Sequence, residues 1–185
     1  MTTYVALLRA VNVSGQNRVP MAELRGALGD LGFARVETYV QSGNIVFEAS
    51  RGEAADQAAV LHDLIEGRFG HDVVVLTLTA ERLAAVAAAN PFLGVTPPPD
   101  EKWLHVTFLD EPAGAEEFAA LDLPAEGDEA ARLAGDGCAV YLRLPYGYGR
   151  TKLSNGWFER ALKTSATTRN WRTVLALVEM SARGS

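Results

Sequence analysis

The order in which apolar periodicities change along the first 78 residues restricts the possible folds more than any other feature. Residues 2–11 (TTYVALLRAV) are dense in apolar side chains over a strand's length, which predicts a strand buried on both faces. Pro20 follows a polar loop, at a place where its fixed φ and missing N–H suit a first helical turn. Met21, Leu24, Leu28 and Leu31 then fall at spacings of 3, 4 and 3, one apolar face of a helix over 20–31 that Gly32 stops. Residues 35–40 and 45–48 read as a hairpin around the turn Gln41-Ser42-Gly43-Asn44, residues 54–69 as a second helix, and 72–78 as a strand. The resulting order, β-α-β-β-α-β, is the ferredoxin-like pattern, an antiparallel sheet with its helices packed on one face.

Beyond it, Thr79 can cap a helix over 80–88, Asn90-Pro91 breaks that helix, and three prolines in GVTPPPDE (94–101) mark a boundary. Residues 102–109 read as a strand, 113–120 as a short helix, and 129–134 and 138–143 as strands around Gly135-Asp136-Gly137. A helix follows over 152–162. Thr167 or Thr168 caps a last one, whose face is Trp171, Val174, Leu175 and Val178. The expected fold is therefore α+β, with two ferredoxin-like halves at 1–78 and 102–185 and a connecting helix and linker at 79–101. The second half is modified by its C-terminal helix. The halves share element order without a residue-level repeat.

A chain of 185 residues buries roughly 70% of its unfolded surface, enough for one large core or two small ones. Cys138 is the single cysteine, so no internal disulfide forms, and the N-terminus shows no secretory pattern; the expected compartment is the cytoplasm. Arg9 interrupts the apolar run from Tyr4 to Leu8 far short of the roughly 20 residues of a membrane span. The net charge of −6 disfavours a dedicated nucleic-acid binder. It is unevenly spread: residues 48–136 carry 18 acidic and 5 basic side chains, and residues 137–185 carry 8 basic and 2 acidic. The basic end can attract an anion despite the total.

Motifs for chemistry are sparse. His62, His71 and His105 lie in separate elements without ligand spacing, so neither a metal nor a cofactor is expected; His105, among apolar neighbours, reads as structural. Cys138 starts an apolar strand and reads as an inert thiol. Neither a GxGxxG nor a GxxxxGK[ST] fingerprint occurs, although Gly147 to Lys152 places glycines and a lysine before a helix, a setting suited to an anion. Glu159 and Glu179 are the only carboxylates after Asp136, too few for a two-carboxylate hydrolase.

Donor-rich polar side chains gather at loop–helix junctions. Arg9, Asn12, Ser14, Gln16, Asn17 and Arg18 follow the first strand, and Ser42 and Asn44 lie on the hairpin turn. Lys152, Asn155, Arg169 and Asn170 lie near the last two helices. Arginine's rigid fork suits a carboxylate or phosphate, and Asn and Ser can complete the shell. The candidate site is a polar cleft between the halves that binds a small anionic or phosphoryl-bearing molecule. Two alternatives stand beside it. In one, the same residues only cap and pack, with Trp171 in the core, Thr168 as cap and Arg169 paired to a carboxylate, in a structural or interaction protein. In the other, the chain is a weak nucleic-acid binder that stacks bases on Tyr146 and Tyr148.

Three blocks, LLRAVNVSGQNRVPMAELRGALGDLGF (7–33), TYVQSGNIVF (38–47) and TKLSNGWFERALKTSATTRNWRTVLALVEM (151–180), together with NPF (90–92), resemble a family of small bacterial proteins, domain-of-unknown-function family 1697. The last block matches at Lys152, Asn155, Glu159, Arg160, Thr167, Thr168, Arg169, Asn170 and Trp171. The first departs from the family pattern: Val11 stands in place of a glycine, and Ser14, Gly15 and Gln16 in place of a glycine-glycine-lysine loop, which removes a cation there. The resemblance implies two ferredoxin-like halves and brings no activity, cofactor or catalytic residue.

Overall fold

The computed structural model describes residues 1–13, 15, 17–50, 52 and 54–183; Ser14 and Gln16 of the first polar loop lie outside this range. The chain divides into two compact units, one of residues 1–84 and 176–185, the other of residues 85–175.

The first unit runs β1 (Thr2–Leu8), α1 (Met21–Asp30), β2 (Ala34–Tyr39), β3 (Asn44–Ala49), α2 (Ala54–Phe69) and β4 (Val75–Thr79), and α3 (Ala80–Ala88) follows without a break. Its antiparallel sheet has the order β2-β3-β1-β4. Strand alternation sends Tyr4, Ala6 and Leu8 to the side where Met21, Leu24 and Leu28 of α1 and Leu61 and Ile65 of α2 close the core with Phe47. Each such large apolar side chain contributes about 1.5–3 kcal/mol when fully buried. Val5 and Leu7, on the opposite face, are buried as well.

The second unit repeats the plan as β5 (Leu104–Leu109), α4 (Ala115–Ala119), β6 (Ala130–Leu133), β7 (Ala139–Arg143), α5 (Asn155–Leu162) and β8 (Ala166–Asn170), and α6 (Trp171–Ala182), whose residues 171–175 belong to this unit, follows directly. The sheet order is β6-β7-β5-β8. The two halves are thus similar α+β units with four-stranded antiparallel sheets, and the C-terminal helix is present. Leu109, Val140, Leu142, Phe158 and Leu162 form the core between this sheet and α5.

The structure differs from expectation at the last block. Thr167 and Thr168 do not cap a helix; they lie inside β8, paired with Phe108 and Thr107. The cap of α6 is Asn170, whose Oδ1 accepts from Thr173 N at 2.8 Å. Polar, β-branched Thr167 and Thr168 suit a strand edge as well as a cap, and pairing with β5 decides between the two. The second half therefore completes the full β-α-β-β-α-β order. Likewise α5 begins at Asn155, because Ser154 caps it by accepting from Trp157 N at 3.4 Å.

Candidate functional site

The ten polar candidates divide between the units, six in the first and four in the second. In the first unit they hold loops in place. Asn12 has φ 54°, a left-handed conformation that Asn tolerates. Its Nδ2 donates to Val19 O at 2.9 Å and Gln41 O at 2.7 Å, and its Oδ1 accepts from Val19 N at 2.9 Å. The amide thus ties the loop after β1 to the β2–β3 turn. Asn17 Nδ2 donates to Ala10 O at 3.2 Å. Asn44 is buried and donates to Tyr39 O at 3.2 Å and Ser42 Oγ at 3.0 Å, closing the turn. Arg9 is half-buried with its amide on Val74 O, and Arg18 is exposed. Asn12, Ser42 and Asn44 are thus brought together around one turn.

In the second unit, pairing register sorts the polar residues by face. His105 opposes Asn170 and Thr107 opposes Thr168, all on the side of α5; Arg169 opposes Val106 on the other side. Arg169 and Asn170 therefore leave the strand in opposite directions. The Arg169 guanidinium donates to Thr167 Oγ1 at 2.7 Å and Thr168 O at 3.0 Å, and burial pulls its pKa down to about 10. Lys152 is exposed and bonds Glu126 at 2.6 Å, each holding the other's charge. Glu159 accepts from Ala166 N at 3.2 Å, a tie between α5 and β8.

On the α5 side a polar seam along β5 and β8 adjoins the apolar core. Thr168 Oγ1 donates to Asn155 Oδ1 at 2.6 Å. A hydroxyl has one proton, so the 2.8 Å contact between Thr107 and Thr168 runs from Thr107 to Thr168. Asn155 N donates to the Tyr148 hydroxyl at 3.3 Å, and the Tyr148 ring stacks on His105 at 5.5 Å between centroids, inclined by 23°. His105 is 8% exposed. Burial lowers its pKa, against a smaller opposing effect of the Trp103 carbonyl, so the imidazole is neutral at pH 7.

This seam opens on a depression of about 520 Å³. Glu101 and Lys102, from the 3-10 turn Glu101–Trp103, form one wall, with His105 and Asn170 beside them. Trp171, Arg172 and Leu175 of α6 form the other wall. Asp100 sets the turn by accepting from Lys102 N at 3.0 Å, and its carboxylate also pairs with Lys102 Nζ at 2.8 Å. A second depression, of about 430 Å³, lies along Pro97 to Pro99 beside Arg143. The Arg143 side chain there is already engaged: Nε donates to Asp128 O at 3.1 Å, and the guanidinium lies over the Phe92 ring at 5.9 Å.

Of the ten candidates, Asn170 lines the larger cavity, while Lys102, His105, Trp171 and Arg172 are lining residues absent from the candidate set. Half of the seam has a signal in the sequence: His105 and Thr107, in the strand expected over 102–109, are spaced to share one face; Thr168 and Asn170 share it only through pairing with β5. Of the two tyrosines offered for base stacking, Tyr146 is exposed, whereas Tyr148 is half-buried against His105. Among the described residues no group of three or more His, Cys, Asp and Glu side chains is placed to hold a metal ion, and no helix is long and apolar enough to cross a membrane.

The fold defines a class, α+β proteins built of two similar ferredoxin-like units with four-stranded antiparallel sheets. Residues 1–141 match the DUF1697 family, described as a protein of unknown function. The chain belongs to this family. Its structure is similar to that of the conserved bacterial protein SP0830 from Streptococcus pneumoniae, with 26% identity, a TM-score of 0.72, and coverage of 97% of this chain and 98% of the other. No curated protein matches the chain. The family match ends before β8 and α6, so the cavity residues Asn170, Trp171 and Arg172 lie beyond it.

Proposed function

We propose that the second unit binds a small molecule carrying one acidic group, in the depression at the start of α6. The observation that carries this reading is the lining itself. Lys102 and Arg172 provide positive charge, Asn170 an amide, and Trp171 and Leu175 an apolar wall around a neutral imidazole. This combination of an apolar body with a few convergent polar groups is characteristic of small-ligand sites. The charge balance narrows the ligand. Lys102 already pairs with Asp100, and Glu101 lies on the same wall. A polyphosphate would meet these two carboxylates at close range, whereas a single acidic group can be held by Arg172 in a two-toothed geometry.

The test is a thermal-shift panel of carboxylates, phosphate monoesters and their uncharged amides and alcohols, on the wild type and Arg172→Glu. Arg172 is exposed, so the variant keeps the fold. An acid present at 100 times its Kd stabilises by about 2.7 kcal/mol, or roughly 5–10 °C for a chain of this length. The expected result is such a shift in the wild type, absent for the amide and absent in the variant. No shift for any acid, or an equal shift in both proteins, sinks the proposal.

A further inference from the structure

We infer that His105 is the specificity-determining acceptor of this cavity, so that its ligand carries an N–H or O–H donor beside the acidic group, as amino and hydroxy acids do; this rests on the acid-binding reading above. The Trp103 carbonyl sets the tautomer of His105. That oxygen accepts from Leu144 N at 2.8 Å and faces His105 Nδ1 at 3.4 Å. A carbonyl has no proton to give, so Nδ1 carries the hydrogen. In a neutral ring Nε2 then holds the lone pair and can only accept.

The surroundings leave this role to the ring's edge. Tyr148 covers one ring face by stacking. Thr107, Thr168 and Asn155, the neighbouring polar groups on the same side of the sheet, are committed to one another. The titratable and charged groups around His105 are Glu101 and Lys102 on the preceding turn, Tyr148 in the loop before α5 and Arg172 on α6; across the sheet β7 contributes Leu142 and β8 contributes Asn170. Among the described residues none of these forms an ion pair with the imidazole, and burial favours its neutral form. The Glu101 carboxylate adds a second acceptor to the same wall, which ranks a protonated amine above a hydroxyl as the ligand's donor.

The experiment uses three probes that share one apolar body: L-phenylalanine, L-3-phenyllactate and 3-phenylpropionate. Affinities are measured by calorimetry at pH 7.5 on the wild type and His105→Phe, the latter keeping a ring against Tyr148. One neutral hydrogen bond predicts that the two donor-bearing acids bind the wild type about tenfold more tightly than phenylpropionate. In His105→Phe the three affinities should converge. Equal affinities in the wild type overturn the role of His105 while leaving acid binding intact; failure of all three to bind removes the acid-binding reading itself. Nitrogen-15 shifts of the wild-type histidines give an independent check, with a protonated Nδ1 and a bare Nε2 expected at His105 and the reverse tautomer contradicting the assignment.

Discussion

The pairing registers place Tyr4 of the first unit where the second has His105, Ala6 where it has Thr107, Thr77 where it has Thr168, and Thr79 where it has Asn170. Both strand-end residues cap the helix that follows: Thr79 Oγ1 accepts from Arg82 N at 3.2 Å, and Asn170 Oδ1 from Thr173 N at 2.8 Å. The two sheets part company one pair further in. Tyr4 stacks on Phe47 at 5.7 Å inside an apolar core, and the Thr77 hydroxyl beside it is buried without a hydrogen-bond partner among the described residues. Thr168, its counterpart, bridges Thr107 and Asn155. One scaffold thus carries a dry edge in one unit and a connected polar edge in the other, and the cavity lies beside the polar one. A satisfied network beside a cavity holds its side chains in fixed positions, which a binding site requires.

The largest effects are expected at the hairpins, where the two units should respond alike. Each turn has a left-handed glycine pressed against the chain leaving the central strand. At Gly43, φ 73°, a Cβ would lie 2.5 Å from Val11 Cγ2 and 2.6 Å from Leu8 Cβ. At Gly137, φ 75°, it would collide with the Ala113 carbonyl oxygen. Gly43→Ala and Gly137→Ala should each cost about 3 kcal/mol or more, since backbone strain and overpacking combine. Urea unfolding of the two variants measures this. A loss in only one of them would mean that the shared architecture does not bear equally on both hairpins.

A smaller effect separates the edges. Thr168→Val leaves Asn155 Oδ1 and the Thr107 hydroxyl without the partner between them, an expected loss of about 2 kcal/mol. Thr77→Val removes a hydroxyl that has no hydrogen-bond partner among the described residues and should be neutral or stabilising by about 1 kcal/mol. The same substitution at equivalent positions should therefore change sign. Equal destabilisation in denaturant titrations would show that the two edges differ in composition but not in energetics.

Most of this scaffold is legible in the sequence because apolar side chains write it. The 3-4-3 spacing of Met21, Leu24, Leu28 and Leu31 finds α1, although Leu31 itself proves exposed as the helix's C-cap, and α2 falls on residues 54–69. β8 is illegible for the opposite reason. Ala166-Thr167-Thr168-Arg169-Asn170 is polar on both faces, so no alternation announces a strand, and only pairing with β5 makes one. The candidate site fails in a similar way. Asn12 and Asn44 look like ligand donors in sequence, yet their amides are spent on backbone carbonyls. Lys102 and Arg172 look like ordinary solvated charges, and their meeting across one cavity depends on how β8 leads into α6. Long-range pairing, which local periodicity does not encode, accounts for both gaps.

The subtlest contrast is in the histidines. His62 and His105 each direct Nδ1 at a backbone carbonyl, Val73 O at 3.0 Å and Trp103 O at 3.4 Å, yet their pKa values move in opposite directions. At His62 the Val73 carbonyl dominates and raises the pKa, with Asp72, Glu66 and Asp63 adding to it and burial opposing. At His105 burial dominates and lowers it. The signs for stability follow from which state takes the proton first. As pH falls through about 6.5 the unfolded chain protonates His105 before the folded protein does, so stability drops progressively until the folded pKa is passed, and the full cost remains below it. For His62 the folded protein takes the proton first; its contribution is complete below about pH 6.5 and is lost as pH rises through the folded value. Urea midpoints between pH 5 and 8 should therefore show His105→Phe gaining on the wild type with acidification and His62→Gln losing ground. Parallel curves for His105→Phe and the wild type would mean that the ring is not held neutral by burial, and would remove from the cavity the acceptor on which its selectivity is argued.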